Sequence, residues 1–251
     1  MRHFLLFIAV FAIVFSCTYQ NEEEKYYQQQ NTSNQSNSLD SGLLAHFCFE
    51  QSLADSSVHN VAGLFSGNPV YEPNVAFGTS NYALWLNGQD NWFEIPIGKH
   101  DTIAISMFFK GDAALSPTMK PCLLDYGNDA LELNLDAVTS GTYIVINGDK
   151  LDNPPENWIS SFSEWNHLYV EAILSQKQVT IIYDSNSKPN IVMNPNITSP
   201  LVFSGESVII GKEYSDTLKE SYFKGLIDEI RIYNRKLSDA ELYEITKVLH
   251  D

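Results

Sequence analysis

Residues 225–242 of the chain, GLIDEIRIYNRKLSDAEL, decide its fold class. The first half alternates between two sets of side chains, and this period of two predicts a strand with two different faces. The predicted faces are Leu226, Asp228, Ile230 and Ile232 on one side and Ile227, Glu229, Arg231 and Tyr233 on the other. Ser238 to Glu241 then form a capping box, in which the serine hydroxyl accepts a backbone N–H and the glutamate reaches back to the cap. A strand and one short C-terminal helix are therefore predicted here.

Upstream of this block, short apolar or alternating runs are separated by Gly, Asn and Asp. The predicted strands are Leu43 to Phe49, Tyr82 to Leu86, Trp92 to Ile97, Ile103 to Phe109, Leu131 to Leu135, Thr142 to Ile146, His167 to Ile173, Val179 to Tyr183 and Ser207 to Ile210. Regular short strands with such punctuation indicate a β-sandwich or jelly roll. The sequence shows no alternation of strands with helices and no glycine-rich phosphate-binding loop. The chain is thus predicted to be all-β.

The first 38 residues predict an export signal followed by a tether. A basic start precedes the apolar run Phe4–Phe15, which is shorter than the roughly 20 residues of a membrane span and typical of a secretory leader. The run ends in Val-Phe-Ser-Cys17, which resembles a bacterial lipobox and predicts a signal peptide over 1–16 and lipidation of Cys17. The alternative is an ordinary leader with an unmodified cysteine. Residues 17–38 are polar and should form a disordered tether.

The charge and the cysteines limit the function classes. The formal net charge of −16 repels the phosphate backbone, so we expect no nucleic-acid partner and no membrane contact except through the lipid anchor. The three cysteines, Cys17, Cys48 and Cys122, have no metal-ligand spacing in the sequence. Cys48 and Cys122 are interpreted as buried free thiols, with a disulfide between them as the alternative.

Three segments together resemble the laminin-G-like, concanavalin A-like jelly-roll family of bacterial surface proteins. They are LLAHFCFEQSLADSS with NYALWLNGQDNWFEIP within 42–96, the strand that begins Trp165-Asn166-His167-Leu168, and IIGKEY…YFKGLIDEIRIYNRKLSDAEL within 209–242. The resemblance covers about residues 42–249 and implies one domain over 39–251. Its implied fold is a two-sheet antiparallel jelly-roll sandwich with a short C-terminal helix. Relatives include lectins, adhesion modules, enzymes and structural domains, so the fold does not fix the function.

The resemblance also implies one structural calcium ion. In relatives such an ion joins the first strand region to the last, and it needs hard oxygen ligands. Glu50, just after the first strand, and Asp228, in the last strand, stand where the resemblance puts two of these ligands. The alternative is that Asp228 caps a turn or pairs with Arg231 or Lys224.

A glycan-binding surface needs exposed aromatic side chains and a few fixed polar groups. The candidate ligand-binding residues are Tyr126, Trp158, Tyr169 and Glu171, with Tyr214 and Tyr222 as further aromatic candidates. Trp158 lies in the segment NPPENW, whose two prolines predict a surface loop. Tyr169 and Glu171 should face away from the core if their neighbours Leu168 and Val170 face inward. The tryptophans assigned to the core are Trp85, Trp92 and Trp165.

An enzyme is the alternative that Glu132, Asn134 and Asp136 raise, since these residues share one face of a predicted strand. Laminarinase-type glucanases of this architecture carry two carboxylates on such a face, about 5 Å apart as the retaining mechanism requires. Here Asn134 replaces the middle acid, and the second catalytic position is the shorter Asp136. We therefore expect no catalytic function.

The expected function is binding or adhesion by a lipid-anchored protein whose partner is a glycan or a surface protein. The acidic run Glu22–Glu24 behind Cys17 resembles the surface-export signal of Bacteroidetes-type lipoproteins. That resemblance implies a surface-exposed position on the bacterial outer membrane. Besides the polysaccharide-acting enzyme, a structural subunit of a surface assembly is the remaining alternative.

Overall fold

The computed structural model describes most of the predicted domain. The described residues are 39–73, 82–112, 121–128, 130–136, 141–146, 149–151, 162–185, 191–193, 197, 205–214 and 222–249. They all belong to one compact unit, Asn37–Asp251. The predicted leader, the tether and the lipidation site Cys17 lie outside these residues.

The described residues form strands β1 to β15 and one α-helix, α1. The strands are Leu43–Phe47, Leu64–Phe65, Val70–Pro73, Tyr82–Asn87, Phe93–Pro96, Thr102–Gly111, Cys122–Tyr126, Leu131–Asp136, Gly141–Ile146, Asp149–Leu151, Asn166–Ile173, Gln178–Ser185, Ile191–Met193, Ser207–Ile210 and Lys224–Tyr233. Helix α1 spans Asp239–Thr246, and two short 3₁₀ helices span Leu174–Gln176 and Lys247–Leu249. No helix in the described residues is long and apolar enough to cross a membrane.

The strands form two antiparallel sheets, as the sequence predicts. One has the order β13-β12-β11-β6-β15-β4-β3, with β1 also paired to β15, and the other has the order β10-β9-β8-β7-β14-β5-β2. Strand β15 pairs with β6 on one side; its other side pairs first with β4, over 224–227, and then with β1, over 230–233. The first and last strands of the described domain therefore lie side by side, and all-β sandwich architecture is confirmed.

The main core lies between the two sheets, because alternate side chains of each strand point inward. Leu168, Val170 and Ala172 of β11 belong to this core, as do Leu131, Leu133 and Leu135 of β8. Burial of each such leucine removes its apolar surface from water and stabilises the fold by roughly 1.5–3 kcal/mol.

A second apolar cluster lies on the outer face of the first sheet, beneath the C-terminal helix. It consists of Leu43, Ala104, Phe108, Tyr169, Tyr233, Leu237, Ile245 and Leu249. The predicted capping box holds the helix start, since the Ser238 hydroxyl accepts the Glu241 N–H at 3.3 Å and the Ser238 N–H donates to the Glu241 carboxylate at 2.9 Å. Arg235 donates to both oxygens of the same carboxylate. The predicted helix is thus confirmed, and its role is to cover one sheet face.

The predicted alternation of β15 is wrong in its first half. A β-bulge interrupts the pairing with β6 between Asp228 and Arg231, and Glu229 adopts the left-handed backbone conformation with φ 50°. A bulge puts two successive residues on the same side of a strand. Ile227 therefore joins Ile230 and Ile232 in the core, whereas Asp228 lies opposite Phe108 of the outer cluster.

Candidate functional site

The outer face of the second sheet carries a row of polar side chains. Because the leucines of β8 point into the core, Glu132 and Asn134 between them point outward. Asp125 of β7 lies directly opposite Glu132, and the Asn134 amide donates to the Glu132 carboxylate at 3.3 Å. Asp125 and Asn134 are fully buried, and Glu132 is 6% exposed. We call Asp125, Glu132 and Asn134 the polar row.

The segment that follows β14 is attached to the polar row. The Tyr214 N–H donates to the Asp125 carboxylate at 2.7 Å, and the tyrosine side chain is 52% exposed. Gly211 makes this departure from the strand possible, since it has φ 94° and a Cβ there would come within 2.5 Å of Leu86. The glycine of the motif IIGKEY is therefore required by both conformation and space.

An aromatic patch lies beside this segment. The Lys212 ammonium sits 4.5 Å from the centre of the half-buried Trp92 ring and 5.9 Å from that of Tyr222. The two rings meet edge to face with their centres 6.1 Å apart. Such a cation–π arrangement fixes the lysine over the aromatic faces. Tyr214 follows Lys212 by two residues in the same segment, and we call Trp92, Lys212, Tyr214 and Tyr222 the aromatic patch.

Cys122 joins the aromatic patch to the polar row. It pairs with Asn134 across β7 and β8, and it forms an isolated parallel bridge with Tyr222. Burial raises the pKa of its thiol well above the usual value, and the negative charges of Asp125, Glu132 and Glu213 raise it further. The thiol is therefore protonated and inert at neutral pH, which is the behaviour of a structural cysteine.

The aromatic patch has the chemistry of a ligand-binding surface, and the buried polar row lies behind it as support. The exposed Tyr214 offers an aromatic face, Lys212 over the Trp92 ring offers a hydrogen-bond donor, and the buried Asp125 carboxylate fixes the segment that carries both residues. Recognition sites combine aromatic faces with a small number of fixed polar groups in this way.

Tyr126 is not part of such a surface, contrary to the sequence prediction. Its side chain is 1% exposed and packs in the main core between the sheets. Burial raises the pKa of its phenol to about 12. A bulge in β7 at residues 122–124 shifts the alternation of that strand, so Tyr126 points inward while Asp125 points outward.

Tyr169 and Glu171 face away from the main core, as predicted, but they are not available to a ligand. Each is 1% exposed, because the C-terminal helix region covers this face. The Tyr169 hydroxyl donates to the Glu171 carboxylate at 2.9 Å and accepts the Leu237 N–H at 3.1 Å. The two residues hold the segment before α1 on the sheet, and their burial contradicts the expected exposure to a ligand.

The remaining aromatic candidates have different outcomes. Trp158 lies outside the described residues. Tyr214 is exposed as expected, and Tyr222 is 8% exposed within the aromatic patch. Trp92 is half-buried beneath Lys212, although the sequence assigned it to the core. The turn-forming segment Asn-Gly-Gln-Asp-Asn before Trp92 was the sequence signal for this partial exposure. A turn there places Trp92 just before the start of strand β5.

The acidic residues of the enzyme alternative contribute to the polar row. The Glu132 carboxylate is buried and accepts a hydrogen bond from Asn134, whereas a retaining hydrolase needs two carboxylates that reach the substrate. The side chain of Asp136 lies outside the described part of the chain.

The two predicted calcium ligands lie near the junction of β1 and β15. Glu50 is exposed in the turn that follows β1, where its neighbours Phe49 and Gln51 have φ 51° and 54°. Asp228 is fully buried, and its carboxylate accepts the Glu229 N–H at 2.8 Å. Both residues supply the hard carboxylate oxygens that Ca²⁺ prefers, so their chemistry fits the ion. Calcium binding stays a prediction.

Cys48 and Cys122 are free thiols, as the favoured interpretation of the sequence expects, although only Cys122 is buried. Cys48 is half-buried and Cys122 is buried, and they form no disulfide. His167 of β11 packs and hydrogen-bonds against the neighbouring strand β6, with its Nε2 atom 2.8 Å from the Ser106 hydroxyl oxygen.

Comparison with known sequences identifies one family. The family model described as the concanavalin A-like lectin/glucanases superfamily matches residues 77–243, which is more than half of the chain. No curated protein matches the sequence.

Solved structures share the fold at low identity. Domain 4 of AbnA, a GH43 extracellular arabinanase from Geobacillus stearothermophilus in complex with arabinotriose, has a TM-score of 0.56 and 18% identity over 83% of this chain and 98% of that domain. The binding domain of botulinum neurotoxin serotype D/C VPI 5993 has a TM-score of 0.62 and 12% identity over 84% and 53% of the two chains. The botulinum neurotoxin DC binding domain in complex with rat synaptotagmin II has a TM-score of 0.60 and 13% identity over 85% and 53%. This chain spans about half the length of the neurotoxin domains.

Proposed function

Because the chain belongs to the concanavalin A-like lectin/glucanase superfamily, we propose that it is a non-catalytic lectin-like domain that binds a carbohydrate on the outer face of its second sheet. The aromatic patch is the observation that carries this proposal. Tyr214 supplies an exposed face on which a sugar ring stacks, and Lys212, held over the Trp92 ring, supplies a donor for its hydroxyl groups. The buried Asp125 carboxylate holds the backbone of Tyr214 in place, so little ordering entropy is lost when the ligand binds.

Structures of the same fold support a binding role. The arabinanase domain was solved with arabinotriose, and cell entry of botulinum neurotoxin type C depends on interaction with two ganglioside molecules. A third structure of this fold was solved with a protein, rat synaptotagmin II. Carbohydrate is the better candidate here because the patch offers one exposed aromatic ring, Tyr214, together with a lysine donor.

A glycan array tests the proposal with fragment 39–251, which contains every described strand and helix. We expect selective binding that Tyr214→Ala weakens at least tenfold, about 1.4 kcal/mol of binding free energy. Tyr243→Ala is the matched control, since Tyr243 is a 44% exposed tyrosine on α1, away from the patch. Trp158→Ala tests the sequence prediction for that residue in the same experiment.

Three outcomes contradict the proposal in different ways. A blank array would exclude carbohydrate in favour of a protein partner, which pull-down from surface extracts would then seek. Binding that neither tyrosine substitution changes would place the ligand elsewhere on the domain. Hydrolysis products from a bound polysaccharide would show an enzyme instead.

We also propose that the protein is a lipoprotein held at the outer surface of a bacterial cell through Cys17. The lipobox-like run before Cys17 and the polar residues that follow it support this proposal. Mass spectrometry of the mature N-terminus should show a diacylated or triacylated Cys17. An intact leader, or an N-terminus at Thr18 or beyond, would contradict it.

A further inference from the structure

Three side chains of metal-ligand type converge on the outer face of the first sheet. A ring nitrogen of His46, the thiol of Cys48 and a carboxylate oxygen of Glu229 all lie within 4.8 Å of one another. His46 lies on β1, Cys48 directly follows β1, and Glu229 lies at the bulge of β15. The three residues, which we call the junction cluster, thus meet where β4 gives way to β1 along β15.

The distances within the junction cluster are close to those around a tetrahedral metal ion. The Glu229 Oε2 atom lies 2.8 Å from the His46 Nε2 atom, and the Cys48 Sγ atom lies 3.4 Å from the same nitrogen. With metal–sulfur and metal–nitrogen bonds of about 2.3 and 2.05 Å, neighbouring ligand atoms of a zinc site lie about 3.3–3.6 Å apart. The sulfur and nitrogen already fit, and the oxygen has to withdraw by about 0.5 Å.

The same geometry argues against a catalytic triad. In a triad the thiol or hydroxyl contacts one imidazole nitrogen and the carboxylate orients the ring through the other. Here the Cys48 thiol and the Glu229 carboxylate both approach Nε2 of His46 most closely. The histidine cannot relay a proton between them, whereas atoms that converge on one point can share a cation.

Outer partners hold the cluster in this arrangement. The Arg231 guanidinium lies 2.5 Å from the Glu229 carboxylate, and the Ser56 hydroxyl lies 3.3 Å from the Cys48 sulfur. Groups of this kind orient the ligands of metal sites. Glu229 itself keeps a left-handed backbone conformation that is unfavourable for a side-chain-bearing residue, and such strain is common at functional sites.

The cluster is also accessible from solvent. The side chains of His46 and Glu229 are 17% and 16% exposed, and Cys48 is half-buried. An ion can therefore enter, and three protein ligands leave the fourth tetrahedral position for water or an external donor.

We propose that His46, Cys48 and Glu229 form a binding site for a divalent transition metal of the zinc class. A thiolate and an imidazole select Zn²⁺ or a similar ion over Ca²⁺ and Mg²⁺, which prefer oxygen ligands alone. The site is therefore different in chemistry from the predicted calcium pair Glu50 and Asp228.

Cobalt spectroscopy tests the proposal in the full chain with Cys17→Ser, so that only Cys48 and Cys122 can supply a thiolate. Co²⁺ added to the reduced protein should give a sulfur-to-cobalt charge-transfer band and the visible bands of tetrahedral cobalt, and Zn²⁺ should displace both. Loss of an outer partner already costs about 10–100-fold in metal affinity, so Cys48→Ser and His46→Gln should each cost at least that much. The matched controls are Cys122→Ser and His59→Gln, which leave the cluster intact.

The cobalt spectra either establish the metal site or overturn it. Charge transfer that disappears in Cys48→Ser and persists in Cys122→Ser would establish the site. No charge-transfer band in the reduced protein would overturn it, and so would a band that survives Cys48→Ser. Circular dichroism of every variant separates lost binding from lost folding, and the Co²⁺ spectrum of the unsubstituted cluster decides even if His46→Gln does not fold.

Discussion

At the residue scale, His167 makes the stability of the sandwich depend on pH. Its ring is buried 4.8 Å from the Phe108 ring centre, and its Nε2 atom lies 2.8 Å from the Ser106 hydroxyl oxygen. Burial, with a smaller contribution from the charge of Arg231, lowers the pKa of His167 from 6.5 to about 3. The imidazole therefore stays neutral in the folded protein at pH values where it is protonated in the unfolded chain.

We expect the free energy of unfolding to fall on acidification by about 1.4 kcal/mol per pH unit from this residue alone. The sign follows from the lowered folded-state pKa, because the unfolded chain binds an extra proton between pH 6.5 and about 3. The contribution is fully present above pH 6.5. Urea unfolding at pH 7, 6 and 5 should show a shallower pH dependence for His167→Gln.

His59→Gln is the control for this prediction, since His59 is exposed. Equal pH dependence in His167→Gln and in the wild type would contradict the assignment. Carboxylates such as Glu229 and Asp55, whose pKa values are also lowered in the fold, add to the acid sensitivity of all three proteins alike.

Sequence reasoning could predict the direction of individual side chains better than their exposure. The period of two in β11 correctly put Tyr169 and Glu171 on the face opposite Leu168 and Val170. It could not show that residues around Leu237, about seventy positions further on, cover that face. Whether a strand's second face meets solvent is decided by packing between distant segments, and local pattern does not contain it.

At the element scale, the Ser238 cap joins helix stability to the burial of a sheet face. Replacement of Ser238 by Ala leaves the Glu241 N–H without its acceptor, and we expect a loss of about 1 kcal/mol in the free energy of unfolding. Ser238→Asp keeps an acceptor at the cap and should lose much less. Chemical denaturation measures both free energies of unfolding, and equal losses in the two variants would show that the acceptor at position 238 is not the source of the stability.

The bulge in β15 explains why a strand predicted in the right place had one face assigned wrongly. The pattern LIDEIRIY fits a regular strand, and only the ladder with β6 shows that Asp228 and Glu229 break it. The junction cluster depends on this irregularity, because the bulge turns Glu229 toward His46 of β1. Ligand sets assembled from strands about 180 residues apart cannot be seen in local spacing.

At the scale of the whole molecule, calcium binding would link the two ends of the domain. Ca²⁺ added to metal-free protein should raise the melting temperature if Glu50 and Asp228 hold the ion. A ligand that binds only the folded state stabilises it by about 2.7 kcal/mol at 100 times its dissociation constant. Asp228→Asn should lose the calcium effect, whereas Cys48→Ser should keep it.

Differential scanning calorimetry with and without Ca²⁺ measures the change in melting temperature. An unchanged melting temperature in the unsubstituted protein would contradict a structural calcium ion. A calcium effect lost in Cys48→Ser would show instead that the junction cluster holds the ion.

The pairing of β1 with β15 also governs when the domain can form. Leu43 lies beside Tyr233, so the ladder that completes the first sheet joins segments that are synthesised far apart in time. Contacts between segments so distant in sequence make folding slow, because the entropy of closing a long loop is lost before the contacts stabilise the chain. Among the described strands β1 pairs with β15 alone, so a nascent chain that still lacks β15 offers β1 none of these partners and has no strand between β6 and β4. We therefore expect the sandwich to complete its folding only after β15 has been synthesised.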